Sequence, residues 1–313
     1  IGCEVYTAAR KMTDKAPDKD KYQGHLVLLA KNEVGYKNLI KIVSAGYIKG
    51  YYYKPRVDKD LLREHSEGLI ALSACLAGNI QNCLLRDYYE GAKKEAEELL
   101  EIFGEGNFFL EIQDQGLEEE AFIKPGLIRL SQELGIPMVA TNDVHYVKQE
   151  DAEAHDRLIC LNTGRDLDDP KRMLYSKQEW LKTRAEMSAI FANYPDALEN
   201  TVEICNSIEH YSINHDPIMP MFDIPKEFGT EEEYRARLTE KDLFDEFTRD
   251  ENGNVVMSEE DAKKKIEKLG GYDRLYRIKL EADYLGKLAM DGAAKRYPMP
   301  LSDEVAERMK FEL

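Results

Sequence analysis

From residue 1 to about 205, short apolar runs alternate with stretches of helical periodicity. No other feature of the chain narrows its fold as far. Residues 2–6, 26–30, 69–73, 108–112 and 139–141 read as strands. Helical spacing follows the later four: through Tyr36, Leu39, Ile40 and Val43, then from Gly78 to about Phe103, from about Glu118 to Leu134, and from about Gln149 to Leu161. Such alternation predicts an α/β fold with a parallel sheet, open or closed into a barrel. The strands are continuous apolar runs, as expected where both sheet faces are covered. Three prolines between Pro217 and Pro225 predict an extended connector. Beyond it the sequence is mostly helical, with a turn at Asp250-Glu251-Asn252-Gly253-Asn254 and a last helix capped by Ser302.

Composition excludes several classes. Charged residues make up 33% and hydrophobic ones 43%, as in globular chains. No apolar run approaches the length of a membrane span. The five cysteines are scattered without CxxC spacing, which predicts reduced thiols and a cytoplasmic setting. A formal charge of −17 repels phosphate backbones on average, so any nucleic-acid role needs a local basic patch, a metal, or parts of a larger protein. The stretch from Glu231 to Glu267 reads as solvated acidic helix faces. The chain opens on a strand-like run without Met and closes in an amphipathic helix, and both ends read as cuts in a longer polypeptide.

The chemistry centres on Thr141-Asn142-Asp143-Val144-His145-Tyr146, directly after an apolar run. In strand geometry Asp143 and His145 share a face. Carboxylate plus imidazole suits a hydrolytic metal centre, and equally a structural hydrogen-bonded pair. Glu4 lies in a buried-looking strand and needs a metal, an Arg, or an outward register. His25 opens its strand, whereas barrel sites gather at strand C-terminal ends. Cys75, at a strand-to-helix turn, reads either as a zinc thiolate or as small-residue packing. Tyr51-Tyr52-Tyr53-Lys54-Pro55-Arg56 joins aromatic and basic groups: Lys54 and Arg56 are candidate phosphate contacts, or the segment is a surface turn. His155 follows Asp151 by four and reads as a structural pair. No phosphate-binding GxxxxGK[ST], GxGxxG or GxSxG motif is present.

Taken together, IGCEVYTA (1–8), GHLVLLAKNEVGYKNLIKIVS (24–44), YYYKPRVDKDLL (51–62), GLIALSACLAG (68–78), FFLEIQDQGLEEE (108–120) and PMVATNDVHYVKQEDAEAHDRL (137–158) resemble the alpha subunits of bacterial DNA polymerase III. The likeness is to the PHP (polymerase and histidinol phosphatase) domain of that replicative family. It implies a distorted (β/α)7 barrel, here lacking its first strands, followed by a mostly helical segment. The implied domains are a PHP domain at 1–208, a Pro-rich connector at 209–228, and at 229–313 the helical start of the palm region with an acidic insertion at 229–287. It also implies metal ligation by Glu4, His25, Cys75, Asp143 and His145; Gln115 stands where many relatives carry histidine and is given no role. The family's remaining PHP ligands would precede Ile1, and the polymerase aspartates would follow Leu313.

The implied activity of the parent is DNA-directed DNA synthesis with Mg. The PHP site would hold Zn, Mn or Fe and support phosphoester hydrolysis or 3′–5′ proofreading, with little activity in this chain alone. Implied partners are DNA, deoxynucleoside triphosphates, the sliding clamp, a proofreading exonuclease and the clamp loader, with no membrane. Two alternatives are a free-standing PHP metallophosphoesterase and a non-catalytic docking domain for the exonuclease.

Overall fold

A computed structural model describes residues 1–313 except 216, 219, 221, 251 and 252. The chain divides into two compact units, Ile1–Asn214 and His215–Leu313. The expected connector and the turn after Asp250 each include residues outside the described set.

The first unit is built on one sheet, which among the described residues has six strands. These are β1 (Gly2–Ala8), β2 (Gln23–Ala30), β3 (Arg56–Val57), β4 (Leu69–Leu72), β5 (Phe108–Ile112) and β6 (Met138–Ala140), ordered β3-β1-β2-β4-β5-β6. The sheet is mixed rather than all parallel. β2 runs antiparallel to both neighbours, while β1–β3, β4–β5 and β5–β6 are parallel pairs. A period-2 pattern looks the same in either direction, so the sequence carries no sign of the reversal.

Helices α1 (Glu33–Ile48), α2 (Lys59–Glu64), α3 (Asn79–Leu85), α4 (Tyr89–Phe103) and α5 (Glu118–Leu134) follow the strands. The long helix expected from Gly78 to Phe103 is two helices, α3 and α4. They part at Asp87, whose φ of 55° no helix continues through. The main core joins Val5, Leu26, Leu28 and Leu110 of the strands to Ile42, Leu99 and Leu127 of the helices. The opposite face is closed over β4 and β5, where Ile70, Leu72 and Phe109 meet Ile204 of a helix α8 (Pro195–Ser207). Between lie α6 (Ala152–Thr163) and α7 (Arg184–Ile190). Phe108 is fully buried and contributes about 2–3 kcal/mol by its burial. β4 and β5 are buried at every position, but β1 and β2 alternate. Their second face stays partly open, and it carries the polar residues described below.

The second unit is helical: α9 (Glu231–Arg237), α10 (Glu240–Thr248), α11 (Glu259–Lys268), α12 (Gly271–Arg296) and α13 (Asp303–Glu312). Thr230, Thr239, Ser258 and Ser302 cap four of them, and acidic residues fill the first turns where the helix dipole favours them. Tyr234, Leu243, Ile266, Leu275 and Leu280 form its core.

Candidate metal centre

In the β1–β2 ladder Tyr6 stands opposite His25 and Glu4 opposite Val27. Directly opposed residues share a face, so Glu4, Tyr6 and His25 all stand on the partly open side. Glu4 is therefore not a buried carboxylate; its side chain is 43% exposed. Its Oε1 lies 2.7 Å from His25 Nδ1, and the same nitrogen lies 3.8 Å from Cys75 Sγ. Hydrogen bonding to Cys75 and then to Glu4 raises the His25 pKa to about 10, and the reciprocal bond holds Glu4 below the usual carboxylate range. The Tyr6 ring meets the imidazole edge-on at 5.2 Å. Because β2 is reversed, its beginning lies beside the C-terminal end of β1 and just past that of β4. His25 thus reaches the usual end of the sheet although it opens its own strand.

Cys75 sits on a braced turn. Gln81 donates to Ser73 Oγ at 2.7 Å and to the Ala74 carbonyl at 2.9 Å. Ala74 takes a φ of 64°, a left-handed conformation that a non-glycine residue keeps only when its surroundings hold it. Gly78 closes the turn; a Cβ there would lie 2.1 Å from the Ser73 carbonyl.

Asp143 and His145 do not follow the strand geometry expected of them. β6 ends at Ala140, and Asp143 has a φ of 44°. His145 Nδ1 turns back to lie 2.6 Å from the Asp143 carbonyl, and Nε2 lies 3.3 Å from the Tyr175 hydroxyl. Burial raises the Asp143 pKa. The charges of His145, Glu4 and His25 all act on this carboxylate, so these four share one neighbourhood, which Cys75 joins through His25. Asn142 fastens the loop by donating to the carbonyls of Gln178 (3.0 Å) and Trp180 (2.8 Å). Gln115, given no role from the sequence, donates to the Asn142 carbonyl at 2.9 Å. His155 does not pair with Asp151. Its ring lies 5.4 Å from that of His145 and 5.1 Å from that of Tyr146, while Asp151 accepts the Lys148 amide.

The two basic candidates part company. Lys54 Nζ stands 5.3 Å over the Tyr6 ring, at the rim beside His25. Arg56 is fully buried. Its guanidinium donates to the carbonyls of Gly50, Asp20, Met12 and Asp14, which fastens residues 12–20 and leaves it no path to a phosphate.

Sequence reasoning missed Glu111. It is 5% exposed in β5, between the two loops, and burial pushes its pKa up to about 7. Thr141 Oγ1 donates to its Oε1 at 2.8 Å, while Oε2 has no partner among the described residues. A charged residue inside the apolar run Phe-Phe-Leu-Glu-Ile was the available signal.

In comparison with known proteins, the PHP domain family matches residues 1–115. Residues 1–115 are thus similar to PHP domains. The chain is homologous to DNA polymerase III alpha subunits: 42% identical to that of Treponema pallidum over 262 residues (83% of this chain, 22% of the relative). The alpha subunit of Borreliella burgdorferi is 43% identical over 242 residues (76% and 21%), and that of Thermus aquaticus 41% over 248 residues (76% and 20%). The chain spans about a fifth of the length of the curated relatives it matches. The resemblance read from the motifs therefore holds, as does an α/β fold followed by helices. Among the described residues no helix is long and apolar enough to cross a membrane.

The donor set at this end of the sheet suits a divalent cation. Imidazole, carboxylate and thiol converge, and the charge of Glu4 raises the proton affinity of Asp143 while both raise that of Glu111, which a cation would relieve. As arranged, however, the donors bond one another. Among the described residues no group of three or more His, Cys, Asp and Glu side chains is set to hold a metal ion.

Proposed function

We propose that this chain is a segment of a replicative DNA polymerase. Its PHP domain would hold divalent metal ions on Glu4, His25, Cys75, Asp143 and His145. The observation that carries the reading is the meeting of Glu4, His25 and Cys75 at one imidazole nitrogen, within the electrostatic reach of Asp143 and His145, in a chain homologous to alpha subunits. Zn, Mn or Fe suits the mixed ligands, and such an ion activates water and polarises a phosphate. The chain's own residues orient the site. Glu4 fixes the His25 ring, Tyr175 fixes His145, and Lys54 offers a cation at the rim for phosphate oxygens. The reaction class is phosphoester hydrolysis, with the 3′ end of a DNA strand as substrate.

Residues 1–208 would form the PHP domain, 209–228 the connector and 229–313 the helical start of the palm region. The polymerase aspartates with their Mg lie outside these residues in this reading, so the chain alone extends no primer. DNA, deoxynucleoside triphosphates, clamp, clamp loader and exonuclease would be partners of the whole cytoplasmic enzyme.

The mutual bonding of the donors favours a second reading, a structural platform without metal. Elemental mass spectrometry of the chain purified without chelators separates the two. About one Zn, Mn or Fe per chain, lost on Asp143→Asn with His25→Ala, supports the metal site. A chain that stays metal-free even after incubation with each ion supports the platform.

A further inference from the structure

We propose that Glu111 is a positioning residue that couples the two ligand-bearing loops, residues 73–78 and 141–146, and so sets the geometry of the metal centre. The inference rests on the metal reading above and deepens it. β5 lies between β4 and β6, and the two loops leave the C-terminal ends of those outer strands. Glu111 touches both. Its Oε1 accepts the Thr141 hydroxyl at 2.8 Å, and its backbone amide donates to Ser73 Oγ at 2.8 Å. The Ala74 amide also lies near enough to the carboxylate to lower its pKa. Ser73 Oγ takes a second bond from Gln81, whose other contact is the Ala74 carbonyl, so the Glu111 backbone ties into the turn before Cys75 while its carboxylate holds Thr141.

Each loop carries a non-glycine residue at positive φ, Ala74 and Asp143, directly beside or within the ligand set. Such conformations persist only when several contacts hold them. The neighbours of Glu111 on β5 are apolar, and a leucine would suit the layer of Phe109 and Val139 better than a buried carboxylate. One oxygen stays without a partner among the described residues, and Glu111 lines a small cavity that Cys75 lines too. The carboxylate also lies within the fields of Asp143 and Glu4. A group buried at this cost, bonded toward both loops and charged toward the ligands, acts through them on whatever they hold.

The test compares the full 313-residue chain with Glu111→Ala, Glu111→Gln and Thr141→Val. Amide hydrogen exchange is read on the metal-free proteins, and Mn2+ and Zn2+ affinity by titration. Expected in Glu111→Ala is faster exchange in both loops together, with metal affinity lower by about 10–100-fold. Glu111→Gln keeps an acceptor for Thr141 and should restore slow exchange. If Glu111→Ala does not fold, Thr141→Val reads the same link, with faster exchange at 141–146 and weaker metal binding. Exchange that rises in one loop or neither, or a lower melting temperature with unchanged affinity, overturns the proposal. A wild-type chain that binds neither ion refutes the metal reading alone. The joint loosening of the two loops would then still decide whether Glu111 couples them.

Discussion

Replacing Arg56 by lysine removes a planar fork from the interior while keeping its charge. Arg56 has no exposed surface and donates to four carbonyls: Gly50 at 3.1 Å, Asp20 at 3.2 Å, Met12 at 2.9 Å and Asp14 at 2.8 Å. The first comes from Nε, the second from Nη1 and the last two from Nη2. A lysine ammonium donates from a single point and cannot reach all of them. If it keeps Met12 and Asp14, the carbonyls of Gly50 and Asp20 lose their partner. At about 1.5 kcal/mol each, the lower end for bonds to a charged donor, the loss is about 3 kcal/mol. A unit of this size loses about 2–4 °C of melting temperature per kcal/mol, so a drop of roughly 6–12 °C is expected. Residues 12–20 should loosen first, because Asp20, bonded by Arg10 and the Ala16 amide, organises the same loop. Calorimetry and amide exchange on Arg56→Lys read both effects. A melting temperature within roughly 2 °C of wild type would refute this account of buried bonding. So would intact stability with lost phosphate binding, which would return Arg56 to the surface role first expected of it.

Two further outcomes follow from single contacts. Gly35→Ala places a Cβ 1.8 Å from the Gly68 carbonyl, so α1 must shift away from the loop that enters β4. Destabilisation of about 1–3 kcal/mol or more by denaturant melting is expected, and a neutral result would show that the contact yields freely. Glu133 is held at a pKa of about 2 by Lys93 first, then Arg129, against a usual value of 4.5. A depressed carboxylate stabilises the fold above pH 4.5, and that contribution disappears as the pH falls towards 2. Glu133→Gln should therefore flatten the acid limb of melting temperature against pH in that window; an unchanged slope would mean the ion pairs add nothing.

The strand ledger was legible because burial imposes it. β5 and α5 fall where the apolar pattern put them, and the continuous runs of β4 and β5 are buried on both faces. What stayed hidden has a physical cause in each case. β3 has two residues, too few for a period to register. Asp87 breaks a helix through its backbone conformation, which the surrounding Glu and Lys pattern does not disclose. Asp143 and His145 were expected to point together by strand geometry, yet β6 stops before them and a left-handed residue redirects the chain. Arg56 looked like a surface base because it follows the aromatic and basic run Tyr51-Tyr52-Tyr53-Lys54-Pro55; only the distant carbonyls of Met12, Asp14 and Asp20 reveal why it is buried. Long-range hydrogen bonding leaves no periodic trace in sequence.

The reversed strand gives the site its logic. In an all-parallel sheet the first residues of β2 would stand at the far end, away from the exits of β4 and β6. Antiparallel pairing brings His25 opposite Tyr6 and beside Ala77, whose carbonyl accepts the His25 amide at 3.0 Å. One end of the sheet thus collects groups from β1, from the start of β2, from the turn after β4 and from the loop after β6, while Glu111 lies in β5 between the last two. The main core on the opposite face needs only apolar residues at alternate positions and would accept either direction of β2. Only the open face distinguishes the two directions, because the antiparallel one sets His25 against Glu4 and Cys75.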